Sequence, residues 1–271
     1  MNNRLLLYVA FSLVLFMIWQ QWKIEQNPIV NSTIVNTQED TASQDLPDAG
    51  YSIQNNSLEK NQEQRKSNLS NKKDEHVFLS NTDLKITIGT IGGTIKRTEL
   101  LNYFETTEED SRNINLFDYE DDYYVAQSGL LHDKNSANTK VNNLAPNHRD
   151  VYTIKSKKNN SVVLEWINKK RNIRVLKKIS LEETGYKINI ENTIINNSNK
   201  AWSGRQYRQI RRQSSGEGRS WVTPTFTGGA YFDGTYNKIS YDDIAETKPK
   251  FNVIGGWVAM MEHYFVSSWF F

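Results

Sequence analysis

The sequence of 271 residues contains no cysteine. That excludes disulfide staples, thiolate zinc sites, iron–sulfur clusters and a cysteine nucleophile, so any folded part must stand on its own hydrophobic core. An excess of charge of one sign is also missing, since 33 Lys and Arg face 31 Asp and Glu for a formal net charge of +2. A nucleic-acid binder leaves a large basic excess, so nucleic acid is not an expected partner. Apolar residues are scarce at 37%, and mean hydropathy is −0.67. One domain plus polar linker sequence accounts for this better than two full cores. The common catalytic signatures are absent as well: there is no GxSxG elbow, P-loop or dinucleotide fingerprint. His76, His132, His148 and His263 lack metal-ligand spacing. No enzyme activity, cofactor, metal or small-molecule substrate is expected.

What is present begins with one apolar run. Leu5 to Trp19 reads LLLYVAFSLVLFMIW and extends through Gln20 and Gln21 to Trp22. As a helix of roughly 27 Å it just crosses a hydrocarbon core. Residues 1–22 therefore read as a transmembrane anchor, and the bulky residues after the run argue against signal cleavage. Arg4 and the amino terminus before the span, against Lys23 and Glu25 that nearly cancel after it, set the N-terminus in the cytoplasm and the remainder outside, with Trp19 and Trp22 as the interfacial belt. Residues 23–75 are Asn, Gln, Ser, Thr and charged residues without period, the composition of a flexible tether.

From His76 the chain alternates. Leu84, Ile86 and Ile88 share one face, as do Val162, Leu164 and Trp166, then Ile173 and Val175, and then Tyr186, Ile188, Ile190 and Ile194. Gly92-Gly93, Asn159-Asn160, Asn196-Asn197-Ser198-Asn199 and Asp233-Gly234 supply turns between the runs. No amphipathic helix stands out, so residues 76–254 read as an all-β antiparallel sandwich with one wet and one buried face per strand. Asp121-Asp122 and Asp242-Asp243 read as solvated turn acids, because neighbours in a strand face opposite ways. After Gly255-Gly256, residues 255–271 place Trp257, Met260, Met261, Tyr264 and Phe265 on one helical stripe. The reading is a short amphipathic helix, packed on the sandwich or lying at the membrane interface through Trp257, Met261, Tyr264 and Phe265.

Three polar or aromatic groups have candidate functions. GRQYRQIRRQ gathers Arg205, Arg208, Arg211 and Arg212, a possible contact for anionic lipid or an acidic partner. In a strand Arg205 and Arg211 share one face and Arg208 and Arg212 the other. A sugar-acting enzyme would need His132 or His148 to converge with Glu165 or Glu191. A carbohydrate-binding module would expose rings such as Tyr123, Tyr124, Trp221 and Tyr231.

The ordered blocks TDLKITIGTIGGTIKRTELLNY (82–103), YVAQSGLL (124–131), TFTGGAYF (225–232) and GGWVAMMEHYF (255–265), behind a span ending in WQQW, resemble the front part of the YidC/Oxa/Alb family of membrane protein insertases. The resemblance implies a β-supersandwich similar to the mutarotase fold, exported to the periplasm of a Gram-negative inner membrane. It implies inner-membrane lipids, nascent membrane proteins and the Sec translocon with its SecD/SecF subunits as partners, and Gly216 to Ile254 as the Sec-facing edge. It further implies that the Trp257 segment leads toward an insertase core of further spans and an arginine-bearing groove that this sequence does not contain. GRQYRQIRRQ is more basic than the family pattern implies.

Overall fold

The computed structural model describes residues 4, 11–17, 19, 74–108, 110–120, 123–132, 145–212, 226–247, 255–262 and 264–270. The chain divides into two units, Met1–Asp45 and Leu46–Phe271. In the first, residues 11–17 are helical. The tether expected over residues 23–75 lies outside the described residues except for its last two positions.

The second unit is built of antiparallel sheets. β1 (His76–Ser80), β2 (Leu84–Gly89), β3 (Thr94–Phe104), β5 (Tyr124–His132) and β10 (Gly204–Arg212) are neighbours in that order, and β4 (Asn113–Phe117) pairs with β3. A second sheet runs β6 (Thr153–Lys157), β7 (Ser161–Asn168), β8 (Ile173–Leu181) and β9 (Ile188–Asn196). The third has the order β12 (Tyr236–Ile239), β11 (Gly228–Phe232), β13 (Trp257–Met261) and β14 (Val266–Phe270).

The first two sheets face each other across the main core. Val77, Leu79, Leu84, Ile86 and Ile88 from one meet Val162, Leu164, Trp166, Val175 and Ile179 from the other. These are the alternate positions that the sequence period selects. The β8 pattern shows it plainly, with Ile173, Val175, Lys177, Ile179 and Leu181 all buried between exposed or half-buried neighbours. A smaller cluster of Ile95, Phe117, Tyr124 and Ala126 receives Met260 and Trp269 and so joins the third sheet to the first. The expected turns fall where the composition put them. Gly92 and Gly93 adopt positive φ of 71° and 62°, and a Cβ on Gly92 would lie 2.3 Å from the His148 carbonyl oxygen. Only glycine fits such a conformation at such an approach.

Two expectations change. The amphipathic helix expected over 255–271 is not formed by its described residues: Trp257–Met261 and Val266–Phe270 are paired strands, Trp257 opposite Phe270 and Met261 opposite Val266. A short apolar run fits either period, and here pairing with β11 decides it. The hydrogen-bonding edge of β11 accepts β13 because Gly256, at φ +105°, comes against Phe232 so closely that a Cβ would sit 2.2 Å from its carbonyl oxygen. The second change is a short helix, α1 (Tyr241–Thr247), where no helix was expected. Ser240 caps it by accepting the Asp243 N–H at 3.0 Å, and Asp242 and Asp243 occupy its first turn. They are therefore N-terminal helix acids, favourably placed on the dipole, and not strand or loop acids. Asp121 and Asp122 lie outside the described residues.

Candidate functional site

At the N-terminus, Arg4 and Trp19 are helical and exposed. Between them the described residues present Phe11, Leu13, Val14, Leu15, Phe16 and Met17 to the surroundings, each at least half exposed. Trp22 lies outside the described residues. Among the described residues no helix is long and apolar enough to cross a membrane.

The 255–270 hairpin distributes the other expected interface residues according to strand period. Met260 and Trp269 point inward to the small core, and Trp269 Nε1 donates to the Gln209 carbonyl at 3.2 Å. Trp257 and Met261 lie on the opposite, outer face. Tyr264 stands at the hairpin turn with 83% of its surface exposed. Phe265 is half-buried, packs edge-on against Tyr103 at 5.5 Å and leans on the main core. The outer face also gathers rings the sequence did not single out. Phe232 stacks on Trp257 at 6.2 Å, and Tyr236 lies 6.0 Å from Trp257.

The four arginines all fall in β10, an edge strand, and the pairing with β5 separates them as its alternation requires. Arg205 and Arg211 stand opposite Leu131 and Val125, and Arg208 and Arg212 opposite Ser128 and Tyr124. Arg212 is a structural cation, with Nη1 on Glu262 Oε1 at 2.5 Å and its guanidinium 5.2 Å from the Tyr124 ring. It ties the first sheet to the β13–β14 hairpin, where the Tyr124 hydroxyl also meets Ser267 Oγ. Arg211 lies 5.1 Å from the Tyr123 ring. The cluster is thus no single basic stripe.

On the open face of the first sheet lies a recess of about 190 Å³ lined by Asp74, Lys96, Tyr119, Tyr123, Gln127 and His148, among others. Lys96 bonds Asp74 and His76 and sits 4.6 Å from the Tyr119 ring. His148 is buried, and its Nδ1 lies 2.7 Å from the Tyr207 hydroxyl, which also accepts the His148 N–H at 2.9 Å. Burial, with Arg149, Arg211 and Lys177 nearby, pushes the His148 imidazole down to about 4. Burial likewise pushes the Tyr207 phenol up to about 12.

No acid/base pair assembles from the sequence candidates. Glu165 pairs with Lys155 and Arg174, Glu191 with Lys178, and His132 packs on Trp202. Of the proposed carbohydrate rings, Tyr124 is a core residue at 2% exposure, Tyr123 lines the recess and Tyr231 is half-buried. Trp221 and His263 lie outside the described residues. Among the described residues no group of three potential ligands could hold a metal ion.

Sequence reasoning missed Lys177. It is fully buried on the inner face of β8, and Nζ donates to Gly92 O at 2.6 Å, Ser128 O at 2.9 Å and Ser128 Oγ at 3.2 Å. Burial pushes its amine down to about 7. The available signal was a lysine in phase with Val175 and Ile179.

Residues 76–270 match the family model described as the YidC periplasmic domain. A membrane protein insertase YidC of Thioalkalivibrio sulfidiphilus is 33% identical over 99% of this chain and 49% of its own length. That of Methylobacillus flagellatus is 30% identical over 99% of this chain and 48% of its own. The chain thus spans about half the length of these relatives. Matched from its first strand to its last, and aligned with such relatives over nearly its whole length, the chain belongs to the YidC family of inner-membrane proteins and carries the family's periplasmic domain.

Proposed function

We propose that this chain supplies the membrane anchor and periplasmic domain of a membrane protein insertase and chaperone, which assists nascent inner-membrane proteins alone or with the Sec translocon and its SecD/SecF subunits. The observation that carries the reading is the continuous match of residues 76–270 to the YidC periplasmic domain, together with relatives named as insertases. The exposed apolar side chains of residues 11–17 suit an anchor, and Arg4 ahead of them suits an N-terminus in the cytoplasm. In this role the domain is a scaffold and contact surface, not a catalyst, and inner-membrane lipids are its standing partner. Arg205, Arg208 and Arg211 of β10 are the proposed partner or lipid contacts, while Arg212 is engaged by Glu262 beside the β13–β14 hairpin.

The test replaces the corresponding half of a complete relative with this chain, in a host depleted of its own YidC. Restored growth and insertion of inner-membrane clients is expected. A chimera that accumulates in the membrane yet restores neither would overturn the reading. Protease added to spheroplasts should digest the β domain, and full protection there would overturn the orientation. A second reading, a tethered periplasmic binding module, is favoured only by the recess beside His148.

A further inference from the structure

The third sheet carries a row of aromatic residues that spans all of its strands. Tyr236 stands opposite Phe232, Phe232 opposite Trp257, and Trp257 opposite Phe270, one ring from each strand and all on one face. The row is open to solvent at Tyr236 (51%), Phe232 (38%) and Phe270 (69%), and Val266 extends the same face at 58%. Between these rings the face is nearly flat, because Ala230, Ala259 and Ser268 are its next members along the strands. Within the four strands this face has no carboxylate, and its charged member is Lys238.

We propose that this face lies on the bilayer surface, with the Tyr236–Phe232–Trp257–Phe270 row in the headgroup boundary. The proposal rests on the anchored-domain reading above and names the partner of its C-terminal hairpin. Three observations select lipid as the occupant. Trp and Tyr, with an apolar body and a polar tip, are the side chains that prefer the membrane interface. A flat face without carboxylates and with one lysine sets no negative charge of its own against lipid phosphates. The chain also carries its own exposed apolar helix at residues 11–17, which the anchored-domain reading places in a bilayer.

The absence of cysteine makes the test direct. Phe270→Cys, Tyr236→Cys and, as a control on exposed β9, Thr193→Cys are each labelled with an environment-sensitive nitrobenzoxadiazole. The full chain is reconstituted into vesicles of phosphatidylethanolamine and phosphatidylglycerol. Labels at 270 and 236 should shift to the blue and lose intensity to lipids brominated near the headgroup, while the label at 193 should do neither. Vesicle-bound protein with the same emission at all three positions would overturn the docking and leave the anchored-domain reading standing. Protein that does not co-float with vesicles would overturn the anchor itself. A blue shift that depends on protein-to-lipid ratio and resists brominated lipid would assign the face to a second copy and overturn the proposal.

Discussion

Replacing Lys177 by methionine removes a charged side chain that the core encloses completely, and the consequence depends on pH. Wild-type Nζ has no solvent contact and bonds Gly92 O, Ser128 O and Ser128 Oγ, which staples β8 to the Gly92-Gly93 turn and to β5. Its pKa falls from 10.5 in the unfolded chain to about 7 in the folded one, through burial. Between those values the unfolded chain holds the extra proton, so stability rises with pH. Below 7 both states are protonated and the slope vanishes. At about 1.4 kcal/mol per pH unit, the folded protein gains on the order of 3 kcal/mol between pH 7 and 9.5. Methionine, similar in length and apolar, has no such slope but leaves three oxygens without their donor, at roughly 1–3 kcal/mol for each that finds no other partner. Near pH 6 this loss and the relief from burying a charge nearly offset each other, so the variant should stand close to the wild type. At pH 9.5 it should be less stable by about 3 kcal/mol more than at pH 6. Urea melts of the two proteins at pH 6, 7, 8, 9 and 9.5 measure this difference, and common titrations such as those of the tyrosines cancel in it. Parallel stability profiles would refute the reasoning, because they would show that the buried amine keeps its proton throughout.

Three other outcomes follow from particular contacts. Because the folded state holds His148 down to about 4 from 6.5, stability should fall as pH drops through that window, by up to about 3 kcal/mol. His148→Gln should flatten the slope in melts between pH 7 and 4.5. Gly256→Ala forces a Cβ to within 2.2 Å of Phe232 O at φ +105°, and should cost roughly 1–3 kcal/mol, seen as a lowered Tm. A value near zero would mean that β13 does not pair so closely with β11. A double-mutant cycle of Arg212→Ala and Glu262→Ala should give a coupling of roughly 0.5–3 kcal/mol, since both side chains are mostly buried at the junction of two sheets. Additive effects would remove that ion pair from the account of how the hairpin is held.

The alternation of Leu84, Ile86 and Ile88, or of Val162, Leu164 and Trp166, is a local property, and each set becomes one buried face of a strand. The turns at Gly92-Gly93 and Asp233-Gly234 are equally local, because positive φ is a demand on one or two residues. Family membership was also legible, since blocks such as TDLKITIGTIGGTIKRTELLNY and GGWVAMMEHYF keep their identity whatever they pack against. The hairpin from Trp257 to Phe270 was not legible. WVAMM and VSSWF satisfy a helical stripe and a strand alternation alike, and only the exposed edge of β11, brought up by the rest of the chain, chooses between them.

Sequence alone thus determined the all-β class, the strand phases and most of the turns, because these depend on neighbours within a few residues. Tertiary structure decided everything that needs two distant segments side by side. It set Arg212 against Glu262, Lys177 against Gly92 and Ser128, and Tyr207 against His148. It also lined up Tyr236, Phe232, Trp257 and Phe270. Cross-strand register fixes these meetings, and register is a free-energy balance over whole sheets that no single stretch of residues contains.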